Sequence, residues 1–270
     1  MVSSTAANSA GQSIIFSGLS HKSARCRGSF GRRPVAASIA LGNFAGWAVA
    51  AAIVGIPSPT FSARAAATTT FETLAVQLGV PFFVKPANSG SSVGVGKVRT
   101  AAEWAVARTE ALRYDRKVLV EEFIKGREIE VAVLGNDDPQ ASIPGEVLPR
   151  HDFYSYEAKY LDENGAALRI PAELSPAKTR EIQELAVKAF RILECSGMAR
   201  VDFFATDDGR FYVNEINTIP GFTKISMYPK LWEATGLAYG PLLERLILLA
   251  LERHRSEQEI ETTFRPTLQA

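Results

Sequence analysis

The chain has 270 residues, of which 46% are hydrophobic and 22% are charged, and its net charge is +1. This length and composition allow one large or two small globular domains, each with a sizeable core. The charge is unevenly divided, because residues 1–71 contain Lys and Arg but no Asp or Glu, which leaves the rest of the chain mildly acidic. A mildly acidic body without a basic stripe argues against nucleic acid as a partner.

Residues 1–70 have the composition of a targeting leader, rich in Ser, Ala and Arg. Arg32 and Arg33 precede an uncharged stretch over residues 35–56, and residues 63–66 show the small-x-small spacing of a cleavage site. We weigh a cleaved plastid transit peptide, a retained membrane anchor and a leader without functional meaning. The expected location is the plastid in the first case and otherwise the cytoplasm, and membrane contact is expected only through residues 35–56.

The acidic body contains a single cysteine, Cys195, because the only other cysteine, Cys26, lies in the leader. An intramolecular disulfide is therefore not expected in the body. We expect Cys195 to be a small buried apolar residue, since no neighbouring histidine supports a nucleophile.

A short apolar strand over residues 81–85 ends in Lys85 and is followed by a loop rich in Gly and Ser, residues 88–96. Backbone N–H groups in such a loop can turn toward phosphate oxygens, and glycine allows close approach. Lys85 favours a phosphate site over a plain linker, because Lys is a point-charge partner for phosphate.

The elements that follow alternate between short strands and helices. Thr100 predicts the N-cap of a helix over residues 101–112, and Ser175 with Pro176 predicts the start of a helix that ends at Leu193. Further strands are predicted at 118–122, 128–134 and 145–148, and further helices at 227–235 and 239–255. Residues 149–170 lack periodicity and hold several aromatics, which favours a lid over a site, with an exposed loop as the alternative.

Two apolar runs, residues 198–204 and 211–215, flank Asp208 and Gly209. Asp-Gly between such runs predicts a β-hairpin with a tight two-residue turn. In that hairpin the numbers of cross-strand partners sum to 417. One face of the hairpin is predicted to be apolar and to carry Val201, Phe203 and Val213.

The other face of the hairpin is predicted to place Asp202 opposite Glu215 and Arg200 opposite Asn217. Two opposed carboxylates repel each other, so a cation is expected between them. Two carboxylates and a carboxamide are hard oxygen donors, which suit a Mg²⁺ ion that also carries substrate phosphates. The alternative is an ordinary exposed face whose charges are satisfied by water or by Arg200.

The ordered motifs VKPANSGSSVGV, YEAKY and NEINTIPGFT together closely resemble those of the D-alanine–D-alanine ligases, which belong to the ATP-grasp superfamily. The resemblance runs from about Ala75 to His254 and implies an α+β fold in which two subdomains hold ATP between them. It implies an ATP-grasp domain over 71–255, divided into a central subdomain (71–135) and a C-terminal subdomain (136–255). A frayed tail is expected over 256–270.

The resemblance also implies roles for individual residues. The expected ATP-binding residues are Lys85 and Lys159 at the phosphates, Glu121 with the backbones of Glu122 and Ile124 at the adenine, and Glu128 at the ribose. The expected ligands of Mg²⁺ or Mn²⁺ are Asp202, Glu215 and Asn217. The expected catalytic and substrate residues are Ser91 bonded to Tyr160 over the first D-alanine, Arg200 with the Gly221 backbone at an oxyanion, and Ser226 with Met227 at the second amino acid.

The implied reaction joins two D-alanines through an acyl phosphate, releases ADP and serves peptidoglycan synthesis. The family's N-terminal domain, which commonly forms the homodimer, has no counterpart in the motifs of this chain, so we leave the oligomeric state open. The alternatives are a catalytically impaired fragment that binds ATP and Mg²⁺, and another ATP-grasp ligase of a carboxylate and an amine.

Overall fold

The computed structural model describes residues 61–63, 69–90, 92–149, 166–223 and 225–261. Most of the predicted leader and of the predicted lid lies outside these ranges. The described residues form two antiparallel sheets with helices packed against them, which makes the fold α+β as predicted. Each sheet has its own hydrophobic core.

The first sheet has four strands in the order β1-β4-β2-β3 and is packed against two helices. Its strands are β1 Phe61–Ala63, β2 Phe82–Pro86, β3 Gly96–Val98 and β4 Val118–Glu122, and its helices are α1 Phe71–Leu78 and α2 Ala101–Tyr114. Thr100 caps α2 as predicted by accepting a hydrogen bond from the Glu103 N–H. β1 pairs with β4 although it lies inside the segment predicted as a leader, so the sheet begins ahead of residue 71.

Alternation along β2 separates the two faces of the first sheet. Phe82 and Val84 are fully buried against the helices, in contact with a core that includes Leu74 and Trp104. The intervening Phe83 and Lys85 are half-buried on the other face. That second face is therefore the one that presents polar groups to a ligand.

The second sheet has six strands in the order β10-β9-β5-β7-β8, with β6 paired to β5. Its strands are β5 Arg127–Gly135, β6 Gln140–Ala141, β7 Gly145–Pro149, β8 Ala166–Arg169, β9 Gly197–Ala205 and β10 Phe211–Asn217. β5 pairs with β9 along its whole length, so the division between the two sheets falls at 123–126, ahead of the subdomain boundary predicted near residue 135. This pairing could not be predicted from the residues of β5, because a strand's partner is set by packing and not by its own pattern.

Three helices cover parts of the second sheet: α3 Pro176–Ile192, α4 Met227–Thr235 and α5 Tyr239–Gln258. α3 packs on the odd-numbered residues of β5 and buries Ile129, Val131 and Val133. α4 and α5 cover only the end of the opposite face, where Ala132 and Leu134 are buried. The rest of that opposite face, toward the start of β5, is left for polar side chains.

Cys195 is half-buried, packs against the core beneath α3 and has no disulfide partner among the described residues. Burial raises the pKa of its thiol to about 11. The thiol is therefore kept neutral, in agreement with the prediction of a small apolar residue.

The β9–β10 hairpin forms where it was predicted, but its turn is longer. Thr206 and Arg210 close a three-residue loop, because the Thr206 N–H donates to the Arg210 carbonyl over 3.0 Å. The Asp208 carboxylate stabilises this loop by accepting from the Thr206 hydroxyl at 2.5 Å and from Arg210 Nε at 2.7 Å. Gly209 adopts φ +80°, as the last position of such a loop requires. The predicted two-residue turn is wrong for this reason.

In the described part of the chain, no individual helix has the length and apolar character needed to cross a membrane; α4 and α5 meet those criteria only when taken together, across a bend of 104°.

Candidate active site

A β-bulge brings the predicted polar residues of the hairpin to one face. Near the loop, Val213 lies opposite Phe203, which is one residue away from the predicted register. The register then shifts at Asn214, and from there Glu215 lies opposite Asp202 as predicted. The extra residue in the bulge compensates for the extra residue in the loop, so the predicted pairing at the polar end is confirmed.

The polar face continues from the hairpin onto β5. Arg200 pairs with Asn217 of β10 on one side and with Ala132 of β5 on the other, and Asp202 pairs with Glu130 of β5. The central strand β9 thus separates the carboxylates of β10 from that of Glu130. We call Glu130, Arg200, Asp202 and Glu215 the acidic cluster, since one guanidinium there faces three carboxylates.

Arg200 is held tightly by Asp202. Its Nε and Nη2 atoms donate to the two carboxylate oxygens of Asp202, each over 2.7 Å. The same Nε lies 2.9 Å from Oε2 of Glu130. Burial lowers the pKa of Arg200, but the charge of Asp202 and its hydrogen bonds outweigh this, so the pKa is raised overall. Arg200 is therefore a fixed positive charge.

Asn217 links the two carboxylates predicted to bind a metal. Its Nδ2 donates to Oδ2 of Asp202 and to Oε1 of Glu215, both over 3.1 Å. The two carboxylates therefore converge on one point, and rotating the amide by 180° turns its oxygen toward that point. This donor set fits a hard divalent cation. No cluster of three His, Cys, Asp or Glu side chains with metal-binding geometry occurs within the described ranges.

Glu130 is a site residue that the sequence interpretation missed. Burial raises the pKa of its carboxyl to about 8, and the charge of Asp202 adds to this, while the Arg200 guanidinium acts in the opposite direction. The sequence held one hint, because Glu128 and Glu130 are two residues apart on a strand and must share a face. That hint did not reveal Arg200 as the neighbour, since β5 and β9 are far apart in the chain.

The described residues among those predicted to bind the nucleotide lie on the first sheet, on the connection to β5 and at the start of β5. Lys85 Nζ is 2.8 Å from Oε2 of Glu121, and both side chains are largely buried. Glu122 ends β4 and Ile124 follows it, both half-buried, while Glu128 lies near the start of β5 on the face of the acidic cluster. Lys85 and Glu121 are thus brought together, although the prediction assigned them to different parts of ATP.

An aromatic wall stands next to Lys85. Phe83 lies 6.0 Å from Phe123 between ring centroids, and Lys97 Nζ lies 4.2 Å from the centroid of Phe123. Phe123 is partly exposed. Flat apolar rings with a cation over them provide a surface beside which a planar base can stack.

The loop rich in Gly and Ser is anchored at its start and has little freedom at Gly94. Asp115 accepts hydrogen bonds from the backbone and the side-chain amide of Asn88, over 2.8 and 2.7 Å. Gly94 has φ +69°, and a Cβ there would lie 2.6 Å from the Tyr114 ring and 2.9 Å from Pro86. The described residues on either side of Ser91 are therefore held in place by specific contacts, at Asn88 and at Gly94. Ser91, Lys159 and Tyr160 lie outside the described residues and remain predictions.

The chain after β10 leads to the N-terminus of α4. Thr223 N donates to Oγ of Ser226 over 3.0 Å, and a Cβ on Gly221 would lie 2.9 Å from that same oxygen. Met227 is 5% exposed and its side chain packs in the core with Tyr228. Met227 can therefore meet a ligand only through its backbone, whereas Ser226 and Gly221 lie together at the start of the helix.

Comparisons with known proteins agree with this geometry. A family model described as "D-ala D-ala ligase C-terminus" matches residues 51–248. The D-alanine--D-alanine ligase of Shouchella clausii (strain KSM-K16) is 56% identical over 204 residues, which cover 76% of this chain and 55% of that protein. D-alanine--D-alanine ligase A of Escherichia coli (strain K12) is 55% identical over 188 residues, which cover 70% of this chain and 52% of that protein. The chain spans about half the length of these curated relatives.

Two solved structures have the same fold. The D-alanine-D-alanine ligase from Coxiella burnetii matches with a TM-score of 0.72 and 40% identity, covering 83% of this chain and 60% of that one. The VanG D-Ala:D-Ser ligase from Enterococcus faecalis matches with a TM-score of 0.71 and 33% identity, covering 79% of this chain and 62% of that one. The predicted α+β fold of the ATP-grasp type is confirmed by these likenesses.

Proposed function

The chain belongs to the D-ala D-ala ligase C-terminus family, and we propose that it carries the catalytic core of an ATP-dependent, ADP-forming ligase that joins two D-alanines. The observation that supports this most directly is the convergence of two carboxylates, one carboxamide and one fixed guanidinium on a single face of the second sheet. This arrangement suits a reaction in which phosphoryl charge and a developing oxyanion must be stabilised side by side.

The proposed ligands of Mg²⁺ or Mn²⁺ are Asp202, Glu215 and Asn217. Such an ion supplies charge neutralisation for the phosphoryl group in transfer. The proposal is supported by the hard-oxygen donor set and by the shared position at which both carboxylates meet the Asn217 amide.

The ATP substrate is proposed to lie against the first sheet. Phe83 and Phe123 provide a stacking surface for the adenine, and Lys85 provides a positive charge for the phosphates. The ion pair of Lys85 with Glu121 restrains the ammonium group before the nucleotide arrives. The resemblance assigns the other contacts. The backbones of Glu122 and Ile124 are proposed to contact the adenine, Glu128 the ribose, and Lys159 the phosphates.

In the proposed first step, a carboxylate oxygen of one D-alanine attacks the γ-phosphorus of ATP, and ADP leaves. In the second step, the amine of another D-alanine attacks the acyl carbon, and phosphate leaves with loss of an amine proton to solvent. Arg200 is proposed to stabilise the oxyanion of the tetrahedral intermediate, a contribution typically of about 3–4 kcal/mol. Its guanidinium is suited to this because it is held by a bidentate contact and does not have to reorganise.

The second amino acid is proposed to bind at the start of α4. The first backbone N–H groups of a helix attract a carboxylate, and Ser226 and Gly221 meet at this point. Ser91 and Tyr160 are proposed to close over the first D-alanine. Whether two copies of the chain form a homodimer is left open.

The biological role proposed is peptidoglycan precursor synthesis, with a plastid location directed by the leader. The family match begins at residue 51 and β1 at Phe61, so a cleavage within residues 63–66 would remove β1 from its place beside β4. We therefore favour a leader that ends ahead of β1. A fusion of residues 1–50 to a fluorescent protein would test this: cytoplasmic fluorescence would contradict the plastid proposal.

The test of the proposed activity is ADP release by the purified 270-residue chain with Mg²⁺ and ATP, with and without D-alanine. We expect release that depends on D-alanine, a dipeptide detected by mass spectrometry, and loss of both in Glu215→Gln. Glu146→Gln, which removes a buried carboxylate elsewhere on the same sheet, is the matched control. A panel of D-alanine, D-serine and D-lactate as second substrates distinguishes the D-alanine ligase from other ATP-grasp ligases. ATP binding without any turnover would contradict the proposal and identify a nucleotide-binding fragment.

A further inference from the structure

One nitrogen of Arg200 lies between two carboxylates. Nε is 2.7 Å from Oδ1 of Asp202 and 2.9 Å from Oε2 of Glu130. This nitrogen carries a single hydrogen, which is donated to Asp202. Oε2 of Glu130 is buried and receives no aligned hydrogen bond within the described ranges. An oxygen therefore sits at hydrogen-bond distance from a donor whose hydrogen is engaged elsewhere.

Two partners compete for the carboxylate oxygens of Asp202: Arg200 and the proposed cation. In the structure both oxygens accept from Arg200. A divalent cation held with Glu215 and Asn217 needs at least one oxygen of Asp202 at about 2.0–2.1 Å. A carboxylate that turns toward such an ion weakens or loses part of its bidentate contact with the guanidinium. A partly buried N–H donor of Arg200 would then be left without an acceptor, which costs free energy.

The strand order places a second carboxyl group, that of Glu130, beside Arg200. β9 lies between β10 and β5, so the cation position is on one side of Asp202 and Glu130 is on the other. Glu130 is fixed on a central strand by its pairing with Asp202, and it is not one of the proposed metal ligands. It remains beside Arg200 whichever way Asp202 turns.

We propose that Glu130 is a positioning residue that takes over the Nε hydrogen of Arg200 when Asp202 turns toward a divalent cation, so that the guanidinium keeps its place during catalysis. This inference rests on the proposed function, because the role of Asp202 toward the metal is assigned there. The hand-over does not depend on ionisation of Glu130, because a neutral carboxyl keeps a carbonyl oxygen that accepts a hydrogen bond.

The direct test observes the Arg200 Nε–H by NMR in the full chain during a Mg²⁺ titration in the presence of ATP. Arg200→Lys identifies the signal by removing it. In the wild type we expect the signal to shift with Mg²⁺ and to remain protected from solvent exchange. In Glu130→Met, which has no acceptor, Mg²⁺ should accelerate exchange by about tenfold or more, as expected for losing a hydrogen bond to a charged group. Glu130→Gln keeps an acceptor and should restore protection.

The controls separate this inference from the proposed function. If the wild-type signal does not respond to Mg²⁺, the proposed metal site fails and the hand-over fails with it. If the wild type responds but Glu130→Met exchanges no faster than the wild type, only the hand-over is overturned. Glu146→Met removes a carboxylate from another arginine on the same sheet, and Arg200 should respond in it as in the wild type.

Kinetics give a second readout. Glu130→Met should lower kcat about tenfold or more with little change in KM for ATP, while Glu130→Gln should stay close to the wild type. In an Arg200→Lys background the same change should have almost no further effect, because Glu130 acts through Arg200. Equal losses in both backgrounds would overturn the inference.

Discussion

The second sheet carries an arginine–carboxylate cluster on each of its two faces, and the two differ in charge balance. On the α3 side, Arg127 holds Glu146 by two hydrogen bonds of 2.6 and 2.7 Å, while Arg169 lies 3.4 Å from Glu146 and 2.9 Å from Glu173. We call these four residues the balanced cluster, since two cations meet two anions. Among its four described residues, the acidic cluster on the opposite face has one guanidinium for three carboxyl groups.

The pKa values of the two buried glutamates follow this difference. Hydrogen bonds from Arg127 lower the pKa of Glu146 against the opposing effect of burial. Burial raises the pKa of Glu130 to about 8, the charge of Asp202 adds to this, and Arg200 offsets it only in part. Among the described residues, the balanced cluster pairs its charges, whereas the acidic cluster has more carboxyl groups than cations. The excess, and not the presence of buried charge, indicates the site.

The two clusters should differ most in what they contribute to activity. Glu215→Gln should reduce D-alanine-dependent ADP release by about a thousandfold, because it removes a proposed ligand of the ion that neutralises the phosphates. Glu146→Gln should leave the rate within about threefold, since it lies on the other face and acts only on stability. Steady-state kinetics at saturating ATP measure both. A similar loss in the two variants would mean that the clusters do not differ in function.

The balanced cluster, which should matter little for activity, should matter for the stability of the fold. Glu146→Gln should lower the free energy of unfolding by about 2 kcal/mol, because it leaves two arginines without their shared carboxylate. This is below the range for fully buried pairs, since the Arg127 side chain is 37% exposed. Urea denaturation followed by circular dichroism measures it, and a change within ~0.5 kcal/mol would show that solvent already satisfies Arg127.

The effect of Glu146→Gln should also depend on pH. The folded-state pKa of Glu146 lies below its unfolded value, so its ionised form stabilises the fold above the unfolded pKa, and this contribution is lost as the pH falls through the folded pKa. The stability difference between the wild type and Glu146→Gln should therefore be full at pH 7 and shrink on acidification below about pH 4.5. A difference that grows on acidification would reverse the assigned cause.

The smallest expected effect has the opposite sign. In a buffer with EDTA at pH 8.5, Glu130→Gln should raise the free energy of unfolding by about 1 kcal/mol, because it removes a buried negative charge from beside two others. Thermal denaturation of the metal-free chain tests this. A loss of stability would mean that Arg200 balances Glu130 as completely as Arg127 balances Glu146.

The sequence alone located the hairpin and the pairing of Asp202 with Glu215, but the route to that pairing was partly wrong. The assumed two-residue turn omitted one residue, and the unforeseen bulge at Asn214 added one back. Turn length depends on side-chain bonds such as those of Asp208, and a bulge has no pattern in the apolar periodicity. The predicted cross-strand pairing was correct only at the end of the hairpin away from the loop, from Glu215 and Asp202 onward.

Glu130 shows the other limit of sequence-based prediction. Its face could be inferred from Glu128, yet its neighbour Arg200 comes from a strand 70 residues later that pairs with β5 only in the folded sheet. For the same reason, the residues of β5 alone do not reveal that this strand belongs to the second sheet. Long-range pairing reflects packing of the whole fold, which one strand's own residues do not encode.

The bulge at Asn214 has a consequence for how this hairpin tolerates insertions and deletions. Removing Asp207 alone would leave Asp208 and Gly209 as a two-residue turn between Thr206 and Arg210, and Glu215 would stay opposite Asp202. Removing Asn214 alone would place Glu215 directly after Val213, where ordinary alternation keeps it on the polar face. A deletion of Ile216 would instead turn Asn217 toward the hydrophobic core. The loop and the bulge are thus the two places where this hairpin can lose a residue and still keep its polar side chains on one face.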